Sequence, residues 1–139
     1  MFFITSKLNF ILLFTIACTT YLFPQKISLD SLIQIHQNKP QDEKILIEIG
    51  ELYAAEKKWD LAIDSYEKLV DLDPDNPDYL YRLGGTQAAY SEVVSKFRIL
   101  SLINTAKRNL IKSASLDVKH IYSRWALVQI LTELPQILG

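Results

Sequence analysis

The sequence has few of the residues on which many metal and redox sites depend. Its 139 residues include one cysteine and two histidines, so an intramolecular disulfide and a cysteine-based zinc cluster are excluded. Fifteen basic and sixteen acidic residues give a net charge of -1, without the basic excess typical of nucleic-acid-binding domains. Four glycines and five prolines leave little material for the turns of a β-rich fold. Composition and length favour one small helical domain.

Residues 1–25 differ in character from the rest of the chain. Lys7 is their one charged side chain, and an apolar run with small residues at its end follows it. This order is typical of a secretory signal peptide. The run is shorter than the roughly 20 residues that span a bilayer, but an uncleaved anchor through residues 1–23 is an alternative. Ala17-Cys18 resembles part of a lipoprotein box, although a cysteine in an apolar segment is also a small hydrophobic residue.

Residues 43–76 have the periodicity of two helices joined by a tight turn. Gly50 lies within the apolar face of the first helix, where it would let another helix approach closely. We expect Gly50 to face Ala62 across the helix pair. Asp60 is the expected N-cap of the second helix. Asp73-Pro74 should end that helix, because proline disfavours helical geometry in the residue before it.

These residues resemble a tetratricopeptide repeat. The family pattern is W-x2-L-G-x2-Y, then A-x3-F, then P. The segment matches its spacing with Leu46-x2-Ile49-Gly50-x2-Tyr53, then Ala62-x3-Tyr66, then Pro74. The resemblance implies an all-α fold, a short α-solenoid of antiparallel helix pairs. The expected helix-packing residues are Gly50, Tyr53, Ala62, Tyr66, Pro74, Gly84 and Ala106.

The same period divides residues 27–139 into further units. Gly84 follows Gly50 by 34 residues, and a 10-residue insertion near residues 90–104 separates Gly84 from Ala106. We expect the insertion to extend the first helix and add a helical turn; a partner-docking knob is the alternative. We expect Pro135 to end the last helix. The predicted units are a half repeat at 27–40 with Ser28 as cap, a full repeat at 43–76, a repeat with the insertion at 77–120, and an incomplete third repeat at 121–139. Residues 78–139 also resemble a group of secreted bacterial tetratricopeptide proteins.

The sequence contains no arrangement that predicts a catalytic, cofactor or metal site. His36 and His120 lack partners at metal-ligand spacing, so we interpret each as a surface or capping residue. The run Asp71-Asp73-Asp75 lacks the glycine and the distal glutamate of a calcium loop. No convergent polar set indicates an enzyme.

The resemblance instead implies a non-catalytic scaffold that binds a peptide or a partner helix in a concave groove. We expect export to the periplasm or the surface of a bacterium, a protein or peptide partner rather than nucleic acid, and membrane contact only through residues 1–23. The alternative is a membrane-tethered structural protein that self-associates through its uncapped C-terminal repeat. The expected groove residues are Lys44, Ile47, Glu48, Glu51, Tyr81, Arg82 and Gly85.

Overall fold

The computed structural model describes residues 28–138, with side chains up to residue 133. These residues form six α-helices and no strand, which confirms the predicted all-α fold class. The helices are α1 Leu29–Asn38, α2 Glu43–Ala55, α3 Trp59–Leu72, α4 Pro77–Ser91, α5 Lys96–Leu116 and α6 Ile121–Leu138. The predictions for residues 1–25, including the alternatives at Cys18, lie outside the described residues.

Polar side chains start three of the helices. Ser28 accepts a hydrogen bond from the Ser31 amide at 3.3 Å, which confirms the predicted cap of α1. Asp42 accepts from the Ile45 amide at 3.3 Å at the start of α2. Asn76 accepts hydrogen bonds from two first-turn amides of α4, at 3.0 and 3.3 Å. Each cap satisfies amide groups that have no partner within the helix.

Helix α3 begins two residues earlier than the sequence predicts. Trp59 is its first residue, and Lys58 stands at the cap position without a side-chain hydrogen bond. The prediction that Asp60 caps this helix is therefore wrong. The Asp60 carboxylate accepts hydrogen bonds from the Tyr90 hydroxyl at 2.9 Å and from Arg98 at 3.3 Å, so later helices engage it. The predicted end of the helix at Asp73 is confirmed.

The helices pack in chain order. Each one contacts the next, and α4 also contacts α6. Because short turns join them, successive helices run antiparallel. The contact between α4 and α6, which are the first helices of successive pairs, extends the row of pairs in the manner of a solenoid.

The first core lies mainly between α2 and α3. Leu46, Ala62 and Leu69 are between 0% and 1% exposed there. A Cβ atom on Gly50 would lie 2.5 Å from the Tyr66 ring, so the missing side chain makes room for that ring. The expected Gly50–Ala62 pairing is corrected to Gly50–Tyr66, because the large ring fills the space over the glycine.

The second core lies between α4, α5 and α6. A Cβ atom on Gly84 would lie 2.8 Å from Leu110 Cγ and 3.0 Å from the Ala106 carbonyl oxygen. Gly84 therefore lets the backbones of α4 and α5 come into contact. Ala106 and Leu110 are 0% exposed.

The insertion lengthens the second helix of its pair rather than the first. Helix α5 has 21 residues, against 14 in α3, whereas α4 has 15 against 13 in α2. The expected extension of the first helix is therefore mostly wrong. The chain turns after Ser91, and Ser95 takes an extended conformation that starts α5 well before Ala106.

The last helix continues past the proline that was expected to end it. Helix α6 runs to Leu138 and includes Pro135. That expectation is wrong, since a proline removes one backbone hydrogen bond but the remaining residues keep helical geometry. Within residues 28–138, the structure contains no helix with the length and apolar character needed to cross a membrane.

Candidate functional site

An open cavity of about 240 Å³ lies between α4 and α6, with α5 behind it. We name it the α4–α6 groove. Its lining comprises Tyr81, Gly85, Ala88, Ala89, Ser91, Glu92, Ile103, Trp125, Ala126, Gln129, Ile130 and Glu133. Small residues on both helices keep the space free: the nearest atom to a Cβ built on Gly85 is a Tyr81 ring carbon at 4.0 Å.

Trp125 is the most distinctive residue of the groove. It lines the cavity and is nevertheless 63% exposed. A large aromatic side chain that remains in water at the edge of a cavity is characteristic of an interaction surface, where tryptophan and tyrosine are enriched among energetically dominant residues. The groove therefore offers both an apolar space and an exposed anchor.

An aromatic cluster lies at the Tyr81 end of the groove. The Tyr81 ring centroid is 5.3 Å from that of His120 and 5.9 Å from that of Tyr122. These distances fall in the range of favourable ring contacts. The cluster holds Tyr81 in place on the wall of the cavity.

A hydrogen-bond chain that is buried at His120, Ser123 and Ser113 joins α4, α5 and α6 below this cluster. His120 Nε2 lies 3.0 Å from Asp78 Oδ1, and His120 Nδ1 lies 2.8 Å from Ser123 Oγ. Ser123 Oγ lies 2.6 Å from Ser113 Oγ, whose hydroxyl donates to the Pro77 carbonyl at 2.7 Å. The chain connects the starts of α4 and α6 to the end of α5, so it fixes the spacing of the groove.

The prediction that His120 is a surface or capping residue is confirmed by its capping contact. Its Nδ1 atom accepts the Ser123 amide at 3.3 Å at the start of α6, but the residue is only 9% exposed. Asp78, His120 and Ser123 have the connectivity of an acid–base relay. Ser123 is 0% exposed, so its hydroxyl has no access to a substrate, and the arrangement acts as a structural link.

The other histidine lies beside a second cavity. This cavity, of about 210 Å³, is bordered by His36 of α1 together with residues of α2 and α3. His36 Nδ1 is buried and has no hydrogen-bond partner among the described residues. Among the side chains of residues 28–133, no three from acidic, histidine or cysteine residues are close enough to hold a metal ion.

The expected groove residues of the first repeat are not part of the cavity. Glu51 forms an ion pair with Arg82 at 2.6 Å, and Ile47 packs against the first core. Lys44 and Glu48 are exposed on α2. Burial alone would lower the pKa of Arg82, but its hydrogen bond and charge interaction with Glu51 raise that pKa above its ordinary value. Of the seven expected groove residues, the structure places Tyr81 and Gly85 on the cavity wall.

The expected helix-packing residues also occupy different environments. Ala62, Tyr66, Gly84 and Ala106 are buried, and Tyr53 is half-buried against the first core. Pro74 is exposed in the turn between α3 and α4, where its carbonyl accepts a hydrogen bond from Lys112 at 2.8 Å. Its position agrees with a role in ending α3 rather than in helix packing.

The spacing of residues in the sequence could have identified the groove residues of α6. Trp125, Gln129 and Glu133 follow Tyr81, Gly85 and Ala89 by 44 residues each, which is one period plus the 10-residue insertion. Residues at equivalent positions of parallel first helices face the same groove. Applying the shifted period to the incomplete third repeat would have selected them.

Comparison with known families agrees with this architecture. The family model described as TPR repeat matches residues 50–89, from Gly50 in α2 to Ala89 in α4. No curated protein and no solved structure matches the chain significantly. Tetratricopeptide repeats generally mediate protein–protein interactions and are typically non-catalytic scaffolds. The matched residues and the paired helices together show that residues 50–89 contain a tetratricopeptide repeat.

Proposed function

We propose that this protein is a non-catalytic scaffold that binds an extended peptide or a partner helix in the α4–α6 groove. The observation that carries the proposal is Trp125, which lines the cavity and is 63% exposed. The cavity of about 240 Å³ is smaller than the roughly 300–1,000 Å³ of typical small-molecule sites. It suits a side chain presented by a larger partner, held by contacts along the two helices.

The charge distribution favours this groove over the one between α2 and α4. There Arg82 and Glu51 already neutralise each other at 2.6 Å, and a partner would have to break that pair. In the α4–α6 groove, Gly85 and Ala88 leave the wall open beside Trp125. Binding in the open groove requires no rearrangement of existing contacts.

A groove-filling variant tests the proposal. Gly85→Leu places a side chain in the cavity, where the nearest atom to its Cβ is 4.0 Å away. Proteins captured by the wild type from membrane and periplasmic fractions are compared with those captured by Gly85→Leu. Phe97→Ser, which removes a 96% exposed aromatic from α5, is the control for non-specific apolar binding. We expect a partner that Phe97→Ser retains and Gly85→Leu loses; equal capture by all three proteins would contradict the proposal.

We also propose that the protein is exported, on the basis of the signal-like pattern of residues 1–25. Fractionation of the producing cell, with N-terminal sequencing of the protein, tests this. A mature N-terminus near residue 25 in a periplasmic fraction supports a cleaved signal. An intact Met1 in the membrane fraction supports the anchor, and an intact Met1 in the cytosol contradicts export.

A second candidate function is self-association, and the outer face of α6 favours it. We define this face by Ile121, Val128 and Leu131, which are 66%, 59% and 57% exposed. They recur at helical spacing on the side of α6 away from the second core. Light scattering on the purified protein gives its mass; a mass that falls to the monomer in Val128→Glu supports self-association, and a monomeric wild type contradicts it.

A further inference from the structure

We infer that the partner presents a basic side chain, with arginine preferred, to the α4–α6 groove. This inference rests on the proposed function, because it specifies the chemistry of the group that enters the same site. Three features of the groove lead to it: its carboxylates, the end of α4 and its apolar walls.

Two carboxylates stand on the rim of the groove without basic partners. Glu92 and Glu133 both line the cavity, and none of the described lining residues is lysine, arginine or histidine. Within residues 28–133, neither glutamate takes part in an ion pair. A cation in the groove would therefore meet two negative charges with no repulsion from its lining.

The C-terminal end of α4 adds to this negative potential. Glu92 is the C-cap residue of α4, so the partial negative charge of that helix end lies beside its carboxylate. Helix C-termini favour cations for the same reason. The end of the helix and the two carboxylates therefore both attract a positively charged ligand.

The walls of the groove suit the rest of a basic side chain. Ala88 and Ile130 supply apolar surface for an aliphatic stem. Trp125 and Tyr81 supply further apolar surface, more than two helical turns before the glutamates of their own helices. Arginine is preferred to lysine because its planar guanidinium binds a carboxylate through two hydrogen bonds.

Elsewhere in the chain, an arginine pairs with a surface carboxylate. The Arg98 guanidinium lies 5.0 Å from the Tyr90 ring centroid and 3.3 Å from an Asp60 carboxylate oxygen. One arginine thus satisfies an aromatic face and an acid on the surface of this protein. The α4–α6 groove presents two carboxylates but has no arginine of its own among its lining residues.

Four capped pentapeptides test the inference. They share alanine flanks and carry arginine, citrulline, leucine or glutamate at the centre; citrulline keeps the shape of arginine without its charge. Binding to purified, isotopically labelled protein is followed by the indole N–H signal of Trp125, assigned with Trp125→Phe. We expect the arginine peptide to shift this signal with saturation, and citrulline to bind about fivefold more weakly or worse, because an exposed charge contact is lost.

Two variants and a control distinguish the effect of the groove carboxylates on peptide binding from the effect of the net charge of the protein. Glu133→Gln and Glu92→Gln should each weaken binding of the arginine peptide by about two- to fivefold. Raised salt should weaken this binding as well. Glu48→Gln removes an exposed carboxylate of α2 and should leave binding unchanged. Equal weakening by Glu48→Gln would overturn the inference, because it would mean general attraction to an acidic protein.

The outcomes also separate the inference from the proposed function. A leucine peptide that shifts Trp125 as well as the arginine peptide would refute the basic anchor and leave the binding groove in place. If no peptide shifts Trp125, and Gly85→Leu captures the same proteins as the wild type, the groove itself is refuted. Preference for the glutamate peptide would reverse the inferred sign of the ligand.

Discussion

The two faces formed by successive first helices differ in how far their side chains are already paired or packed within the chain. Between α2 and α4, Glu51 and Arg82 pair at 2.6 Å and Ile47 packs into the core. Between α4 and α6, a cavity of about 240 Å³ stays open, with Trp125 exposed beside it. The repeat pattern alone assigns both faces to one groove. The difference shows that side chains outside the pattern decide which part of a repeat surface is free to bind a partner.

The largest expected effect concerns the two adjacent glycines of α4. Gly84→Ala should lower the free energy of unfolding by about 1–3 kcal/mol, as overpacking does, because its Cβ would lie 2.8 Å from Leu110 Cγ and 3.0 Å from the Ala106 carbonyl oxygen. Urea denaturation followed by circular dichroism measures the change.

Gly85→Ala is the matched control on the same helix. Its Cβ has 4.0 Å of clearance, so the higher helix propensity of alanine should raise the free energy of unfolding by up to about 1 kcal/mol. Opposite signs at neighbouring positions would confirm that Gly84 is packed and Gly85 faces open space. A loss of stability in both variants would contradict an open groove.

The buried hydrogen-bond chain that positions the open face gives the next prediction. Ser113→Ala removes the hydroxyl between the Pro77 carbonyl and Ser123 Oγ. We expect a loss of about 1–3 kcal/mol in the free energy of unfolding, because a buried polar group loses its partner. Ser115→Ala, whose exposed hydroxyl donates within α5, is the control and should change stability by less than about 0.5 kcal/mol. Equal effects would mean that the chain does not hold the helices.

The closed face should depend only weakly on its ion pair. Glu51→Gln removes the carboxylate that pairs with Arg82, whose side chain is 30% exposed, while that of Glu51 is 54% exposed. We expect a loss of about 0.2–1 kcal/mol, which thermal denaturation at low and high salt would detect as a difference that shrinks with salt. Peptide binding in the α4–α6 groove should not change. A binding defect in Glu51→Gln would place the binding face between α2 and α4.

The smallest expected effect concerns Glu67, an acidic residue of α3. Burial, with Asp64 and Asp71 nearby, raises the pKa of Glu67 above its ordinary value. A carboxylate whose pKa is higher in the folded state costs stability once pH rises through that pKa. Glu67→Gln should therefore raise the free energy of unfolding by a few tenths of a kcal/mol at pH 7. At pH 3 the gain should vanish, because Glu67 is then protonated in both states; a gain that persists there would contradict a charge effect.

The regular part of this fold could be predicted from the sequence because it depends on spacing. The 34-residue interval between Gly50 and Gly84 indicated the helix pairs, and Gly84 does lie against the backbone of Ala106. The exact partner of Gly50 could not be predicted, because the conformation of the Tyr66 ring decides it. The course of α6 through Pro135 likewise depends on more than local preference.

The site was harder to predict than the fold because its contacts join distant residues. Asp78, Ser113 and His120 meet only after three helices have packed, and no spacing rule connects them. Glu51 and Arg82 form an ion pair with each other, so these two expected groove residues are not free to bind a partner. Trp125 could have been found by extending the shifted period, whereas the empty space beside it depends on the small residues around it.

The central claim is that a partner binds between α4 and α6 rather than between α2 and α4. A nuclear magnetic resonance titration of the labelled protein with its captured partner tests this claim most directly. The account predicts that the signals of Gly85, Trp125 and Gln129 shift first and saturate together. Shifts confined to Ile47, Glu48 and Glu51, with the Trp125 indole unchanged, would contradict it.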